Sequence, residues 1–169
     1  MPVTACVAYV AIGANLGDPV ATVRAAIEAL RGIADTRFLR ASSLYRTAPV
    51  GLHHQPDFIN AVAALEVDPT VLPALTLLER LFAIEASFGR VRTVKNAPRT
   101  LDLDLLLFGD QRLDQPGLTL PHPRMAERAF VLAPLAEIAP DLEIPGPGQG
   151  LRVGDLLPGV ANQRIERFA

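Results

Sequence analysis

The sequence predicts an α+β fold, in which helices flank an antiparallel sheet in a ferredoxin-like arrangement. Two observations lead to this prediction. The predicted elements follow the order β-α-β-β-α-β, and the second and third strands are joined without a helix. A doubly wound parallel sheet is disfavoured, because parallel neighbours need a long crossover connection. Residues 1–169 are expected to form a single domain.

The first half of the chain supplies three strands and one helix. Residues 5–12 read as a buried strand, and the turn that follows leads into a helix capped by Asp18. This helix ends near Gly32. The second and third strands are predicted at 36–47 and 57–67, on either side of a loop rich in proline, glycine and histidine.

The second half begins with a helix at about 72–88, whose apolar residues recur at helical spacing. A strand with two acids follows within residues 98–108. The segment 124–140 predicts one or two short helices, interrupted by Pro134. After Pro140 the chain is rich in glycine and proline, which predicts a short hairpin and an irregular tail.

The composition describes a globular protein, since half of the residues are apolar and a fifth are charged. The net charge of −2 argues against a general nucleic-acid or membrane-binding surface. No apolar run reaches membrane length, and no secretory signal pattern opens the sequence. We expect a cytoplasmic monomer with neither nucleic acid nor membrane as a partner.

The run PRTLDLDLLLF at residues 98–108 carries the strongest functional signal. Side chains alternate along a strand, so Asp102 and Asp104 point the same way while the intervening leucines point into the other layer. Two neighbouring carboxylates repel each other unless a cation lies between them. Mg²⁺ takes one or two carboxylates and completes its shell with phosphate and water. The alternative is a strand edge on which both acids face water.

A cationic segment lies directly before these acids. Arg90, Arg92, Lys95 and Arg99 place four cations within ten residues. Basic groups beside metal-binding acids favour a polyphosphate substrate, such as Mg-ATP.

Three further residues allow both a functional and a structural interpretation. Phe58 and Asn60 share one face of the third strand, where they could stack on a flat heterocycle and pair with its amide edge. Taken alone, they fit a core phenylalanine and a strand-end asparagine better. Glu85 lies near the apolar stripe of the second helix, where it could contact substrate or hold the basic segment through Arg90 or Arg92.

Six segments resemble, in order, the 6-hydroxymethyl-7,8-dihydropterin pyrophosphokinase family, and they span about residues 9–140. They read AIGANLGD, SSLYRTAPVG, QPDFINAV, FGRVR, PRTLDLDLLLFG and LPHPRMAERAFVLAPLAEIAP. The resemblance implies a ferredoxin-like α+β fold. It also implies transfer of pyrophosphate from Mg-ATP to the hydroxymethyl oxygen of the pterin, with release of AMP, in folate biosynthesis.

The resemblance further implies roles for individual residues. Asp102 and Asp104 would hold two Mg²⁺ ions, with ATP as the co-substrate. The transferring phosphates would be neutralised by Arg90, Arg92 and Arg99. The pterin would be bound by Thr47, Pro49, Val50, Phe58, Asn60 and Phe130. ATP would be contacted by Glu85, Lys95, Leu105, Thr119, His122 and Arg128.

Three positions depart from the family pattern. Asn96 stands where many members have a tryptophan, Pro123 stands where tyrosine is common, and Phe58 replaces a common tyrosine. The last change keeps an aromatic ring for stacking but removes a hydroxyl.

Two other functions remain open from the residues alone. A nucleotidyltransferase also uses paired aspartates on a strand, but it would release pyrophosphate from ATP rather than AMP. A non-catalytic ferredoxin-like binding module would show no Mg-dependent turnover of ATP.

Overall fold

The computed structural model describes residues 5–48, 56–89, 100–146 and 150–167. The elements of the predicted β-α-β-β-α-β unit are β1 (Cys6–Ala14), α1 (Pro19–Arg31), β2 (Thr36–Ala41), β3 (Tyr45–Thr47), β4 (Phe58–Val67), α2 (Ala74–Ser87) and β5 (Asp102–Phe108). The elements that follow are β6 (Leu113–Gln115), β7 (Leu118–Leu120), α3 (Ala129–Ile138), β8 (Glu143–Ile144), β9 (Leu151–Arg152), α4 (Val153–Leu156) and β10 (Ile165–Arg167). Two 3-10 turns lie at Met125–Glu127 and Leu157–Val160.

The main sheet has the strand order β10-β3-β4-β1-β5, and β2 also pairs with β4. Every pairing in this sheet is antiparallel. The two strands at its centre come from the two halves of the β-α-β-β-α-β unit, which is the arrangement of a ferredoxin-like fold. The predicted α+β fold class is therefore confirmed.

Helices cover both faces of this sheet, because its strands are apolar on both sides. Val10 and Ile12 of β1 point into a cluster shared with α1 and α2. Tyr9 and Ala11 point into a second cluster, shared with α3 and the C-terminal elements. None of the helices within the described ranges is long and apolar enough to cross a membrane.

The first helix begins as the sequence predicts. Asp18 is the N-cap residue, and its carboxylate accepts a hydrogen bond from the backbone N–H of Ala21 at 3.1 Å. Pro19 occupies the first turn, where its missing N–H costs no hydrogen bond.

The strand predicted at 36–47 is divided into β2 and β3, both of which pair with β4. At the break, the backbone N–H of Ser42 donates to the carbonyl of Val62 at 2.8 Å. The backbone N–H of Val62 donates in turn to Ser42 Oγ at 3.0 Å. A serine hydroxyl thus replaces a main-chain acceptor, so hydrogen bonding continues where regular strand geometry is lost.

The prediction that Pro134 interrupts the helix after residue 124 is wrong. Pro134 lies inside α3, which continues to Ile138. Proline removes one helical hydrogen bond, but burial of the neighbouring apolar residues against the sheet stabilises the helix. Propensity alone therefore gave the wrong boundary.

The prediction of an irregular tail is also wrong, although the predicted hairpin is present as β8 and β9. Beyond the hairpin, the chain forms α4 and a 3-10 turn, and then β10 pairs with β3. An unpaired strand edge exposes backbone hydrogen-bonding groups, and β10 covers those of β3. This partner is distant in sequence, so local patterns do not reveal it.

Replacement of Ser42 by alanine should lower the free energy of unfolding by about 1–2 kcal/mol, because the buried N–H of Val62 loses its acceptor. Urea unfolding at neutral pH measures this difference. Ser87→Ala is the matched control, since the exposed Ser87 hydroxyl donates to the carbonyl of Ile84 in its own helix. Equal effects of the two substitutions would show that Ser42 does not hold the break together.

Candidate active site

Asn60 and Asp102, two of the polar residues predicted for the site, lie on the sheet face that α3 partly covers. The strand register aligns Asn60 of β4, Gly13 of β1 and Asp102 of β5 in one row. Residues directly opposite in an antiparallel pair share a face, and neighbouring strands lie about 4.8 Å apart. Asn60 and Asp102 are therefore separated by about 10 Å across the row. A candidate pterin-binding residue and a candidate metal-binding residue therefore share one surface.

Gly13 keeps the middle of this row open. A Cβ atom at this position would lie 3.3 Å from Oδ1 of Asn60. Any larger side chain would crowd the amide and fill the space between Asn60 and Asp102. The glycine therefore gives a ligand direct access to the backbone between the two functional groups.

Asp102 and Asp104 are half-buried and point away from the buried Leu103, as the strand pattern predicts. Residues two apart in a strand are separated by about 7 Å. The described residues contain no group of three or more His, Cys, Asp or Glu side chains that could hold a metal. Two carboxylates suit Mg²⁺, which takes its other ligands from phosphate and water.

Glu85 lies in the opposite layer of the molecule, where it is only 1% exposed. Its Oε2 accepts a hydrogen bond from the backbone N–H of Leu103 at 2.8 Å. Because Leu103 lies between the two candidate metal ligands, Glu85 fixes the strand that presents them. This placement favours a positioning role, and the predicted contact of Glu85 with ATP stays a prediction.

Leu105 and Thr119 differ in how much surface they offer to a nucleotide. The side chain of Leu105 is 4% exposed and packs in the cluster beneath α1 and α2. The predicted contact with ATP would therefore involve its main-chain atoms. Thr119 is exposed on β7, which packs against β5. Both contacts stay predictions.

His122 is attached to the outer edge of β5 by a hydrogen bond from its backbone N–H to the carbonyl of Leu106 at 2.9 Å. The backbone N–H of Arg124 donates to Nδ1 of His122 at 3.2 Å, which assigns the ring proton to Nε2. Burial lowers the pKa of His122, with Arg128 and Arg124 acting in the same direction against Asp104. The ring is therefore neutral at pH 7 and presents an N–H donor beside an acidic group.

The candidate pterin-binding residues meet where β3, β4 and α3 adjoin. Asn60 is 5% exposed, and its Nδ2 donates to Oγ1 of Thr47 at 2.8 Å. Phe58 is half-buried directly opposite Thr47 in the register. Phe130 is half-buried in the first turn of α3, and the guanidinium of Arg128 lies 5.3 Å from its ring centroid. The structure thus places an oriented amide and two aromatic rings on this part of the sheet face.

Glu137 joins α3 to the strand beside Asn60, a role that the sequence reasoning missed. Its carboxylate accepts hydrogen bonds from Tyr45 Oη at 2.7 Å and from the backbone N–H and Oγ of Ser43 at 3.0 Å. Burial alone would raise the pKa of Glu137, but these bonds and Arg167 lower it. Burial and the bond to Glu137 raise the pKa of Tyr45 to about 12. The only sequence signal was a lone acid in the apolar run LAEIAP.

The remaining predicted site residues lie outside the described ranges. They are Pro49, Val50, Arg90, Arg92, Lys95 and Arg99. Asn96, the departure from the family pattern, lies outside them as well. The roles assigned to these residues stay predictions.

Paired acids, a neutral histidine and an oriented amide with two aromatic rings on neighbouring elements of a ferredoxin-like sheet are the features expected of a transferase that binds a metal and a flat acceptor. The family model of 7,8-dihydro-6-hydroxymethylpterin-pyrophosphokinase matches residues 9–140. The chain belongs to this family, and it is an ATP-dependent pyrophosphokinase of folate biosynthesis.

Curated relatives match over most of their length. The chain is 48% identical over 160 residues to 2-amino-4-hydroxy-6-hydroxymethyldihydropteridine pyrophosphokinase of Pseudomonas aeruginosa, which covers 95% of both chains. It is 45% identical over 138 residues to the protein of the same name from Haemophilus influenzae, covering 82% of this chain and 84% of that one.

Solved structures of Plasmodium falciparum HPPK-DHPS share the fold. The wild type with pteroate superposes with a TM-score of 0.72 at 12% identity, covering 94% of this chain and 43% of that chain. The wild type with pterin and p-hydroxybenzoate gives a TM-score of 0.69 at 13% identity, covering 93% of this chain and 43% of that chain. This chain therefore spans less than half of the Plasmodium chains, and the likeness concerns the fold alone.

Replacement of Glu137 by alanine should lower the free energy of unfolding at pH 7 by about 1–3 kcal/mol, because its hydrogen-bond donors lose their acceptor. The lowered pKa means that the unfolded state binds more protons near pH 4.5, the ordinary value for glutamate. The contribution is therefore present above that pH and lost as the pH falls through the folded pKa. Urea unfolding should therefore show a larger difference from wild type at pH 7 than at about pH 3.

Glu66→Ala is the control for this measurement. Glu66 pairs with Arg37 on the surface at 3.3 Å, so its removal should change the free energy of unfolding by at most about 0.5 kcal/mol. A loss in Glu137→Ala that is the same at both pH values would contradict the assignment of the stabilisation to the ionised carboxylate.

Proposed function

We propose that Asp102 and Asp104 hold two Mg²⁺ ions while pyrophosphate passes from ATP to the hydroxymethyl oxygen of 6-hydroxymethyl-7,8-dihydropterin, releasing AMP. Bound Mg²⁺ would neutralise charge on the phosphates and lower the pKa of the attacking hydroxyl. The observation that carries this proposal is the shared row of Asn60, Gly13 and Asp102. It brings a heterocycle-binding amide and a metal-binding acid within the length of one small substrate.

The pterin is held flat between Phe58 and Phe130, with Asn60 reading its amide edge. An asparagine side chain offers a donor and an acceptor next to each other, which matches that edge. Support comes from the hydrogen bond to Thr47, which restricts rotation of the amide. The main chain of Pro49 and Val50 completes this pocket.

The nucleotide phosphates are bound on the β5 side of the row. His122 donates its Nε2 proton to a phosphate oxygen, since the other ring nitrogen is engaged by Arg124. Arginine neutralises charge on the transferring group through its forked donors. We assign this task to Arg90, Arg92 and Arg99. The other ATP contacts are assigned to Lys95, Leu105, Thr119 and Arg128.

The product that is released from ATP distinguishes the proposed pyrophosphokinase reaction from a nucleotidyltransferase reaction. A nucleotidyltransferase with the same paired acids would release pyrophosphate, whereas this reaction releases AMP. Incubation with Mg-ATP and the hydroxymethylpterin, followed by chromatography of the nucleotides, identifies which product forms. AMP that appears only when both Mg²⁺ and the pterin are present supports the proposal, and pyrophosphate release contradicts it.

We further propose that residues 1–169 act as one domain, as a monomer, in the cytoplasm. The pairing of β10 with β3 supports a single domain, because it ties the last described element into the main sheet. Light scattering after gel filtration tests the monomeric state.

Asp102→Asn and Asp104→Asn should each lower kcat by at least about a hundredfold, because an amide cannot supply the negative charge that holds Mg²⁺. The midpoint temperature of thermal unfolding, measured without metal, should be unchanged or slightly higher, because each substitution relieves repulsion between two carboxylates. Asp110→Asn, on the turn after β5, is the matched control and should keep full activity. Near-normal activity of either site variant at saturating Mg²⁺ would remove that residue from the metal site.

Asn60→Ala should weaken binding of the pterin by roughly a hundredfold, because a buried heterocycle edge would lose its partners. Binding of a non-hydrolysable ATP analogue, measured separately by titration calorimetry, should change less than about twofold. Ser87→Ala serves again as a surface control. Equal losses for both ligands would show that Asn60 supports the sheet and does not read the pterin.

A further inference from the structure

The C-terminal segment, residues 150–167, lies outside the part of the chain that the family model matches, yet it contacts the proposed pterin pocket. Two of its residues anchor it in the core. Val153 and Val160 are buried in the same cluster as α3 and the sheet face beneath it. The segment is therefore integrated into the fold before it reaches the pocket.

Its first contact is with the start of α3. Oε1 of Gln163 accepts a hydrogen bond from the backbone N–H of Ala129 at 2.9 Å, and its Nε2 donates to the carbonyl of Glu127 at 2.7 Å. The first N–H groups of a helix have no partner within the helix, and α3 has no side-chain cap of its own at Arg128. Gln163 thus supplies a cap from 34 residues away and fixes the turn that carries Arg128 and Phe130.

Its second contact is with the opposite wall of the pocket. Ile165 of β10 lies directly opposite Thr47 of β3, and Thr47 lies opposite Phe58 of β4. The side chain of Ile165 is half-buried against the same apolar cluster as Phe130. Ile165, Thr47 and Phe58 therefore form one row, which extends the pocket wall toward the C-terminal segment.

Its third contact connects the two walls to each other. Arg167 lies opposite Tyr45 in the register, and its guanidinium is 3.9 Å from the Glu137 carboxylate of α3. Glu137 itself accepts the hydroxyl proton of Tyr45 in a hydrogen bond. The C-terminal segment thus contacts both α3, on one side of the proposed pocket, and β3, on the other side.

We propose that the C-terminal segment is a positioning element of the pterin pocket, and that Gln163 is its principal positioning residue. It sets the position of Phe130 relative to Phe58, and hence the width of the gap that a flat ring enters. This inference rests on the proposed stacking of the pterin between these two rings. Gln163 acts through Ala129 and the first turn of α3, and it does not touch the substrate.

The test compares Gln163→Leu with two controls in the full-length protein. Arg164→Leu adds an equally apolar side chain at the next exposed position, and Val23→Ala removes buried volume from α1 on the other side of the sheet. Calorimetric titration with the pterin should show an affinity about tenfold weaker in Gln163→Leu. The affinity should be unchanged in both controls, although Val23→Ala unfolds at a lower temperature.

Hydrogen exchange supplies a second readout that requires no ligand. The amide of Ala129 should exchange faster in Gln163→Leu, and amides of β1 should not, because only the cap has been removed. Unchanged exchange at Ala129, or a loss of pterin affinity in Val23→Ala as large as that in Gln163→Leu, would overturn the inference.

Phe130→Ala separates this inference from the proposed function. If Phe130→Ala weakens pterin binding and Gln163→Leu does not, the stacking site stands and the positioning role is wrong. If Phe130→Ala leaves pterin binding unchanged, the proposed stacking site is itself wrong. Weakening by both substitutions, with intact binding in both controls, is the expected result.

Discussion

The antiparallel register of β4, β1 and β5 is the constraint on which the site depends. Because side chains alternate along each strand, a shift of one residue in either pairing would turn a functional group into the opposite layer. The register that joins Asn60, Gly13 and Asp102 is stabilised on its other face by Ile12 and Leu103, which are buried beneath α1 and α2. Burial of apolar side chains on one face of the sheet thus determines which polar side chains are presented on the other face.

Glu85 and Glu137 each accept hydrogen bonds from the backbone of the main sheet or of the break within it. Glu85 accepts the N–H of Leu103 between the paired acids, and Glu137 accepts the N–H of Ser43 at the break between β2 and β3. By accepting these bonds, each side chain restricts a backbone segment next to the candidate site. Each glutamate connects a helix to the sheet or to the segment beside it. This structural role explains why an acidic residue lies among apolar neighbours at these two positions.

The sequence alone was sufficient to predict features that depend on residues close together in the chain. The period of two placed Asp102 and Asp104 on one face, and the cap at Asp18 marked the start of α1. The sequence alone was insufficient where a residue's hydrogen-bond or packing partner is distant in the chain. Nothing near Glu137 predicts that Tyr45 donates to it.

The same limit applies to the C-terminal half of the chain. Pro134 indicated a helix break, but packing of α3 on the sheet outweighs the lost hydrogen bond. Gln163 lies in a stretch without clear periodicity, and its function depends on a turn 34 residues earlier. Tertiary contacts of this kind have no local pattern, so they could be found only in the folded structure.

The outer edge of β5 carries a further consequence. An apolar edge strand such as DLDLLLF is a template for pairing with another chain, and so a starting point for aggregation. Here Glu85 occupies the N–H of Leu103, and the backbone of His122 occupies the carbonyl of Leu106. Groups beside the candidate site thereby also cover part of the outer edge of this apolar strand. A substitution that removes either group would therefore expose this edge to pairing with another chain as well as disturb the candidate site.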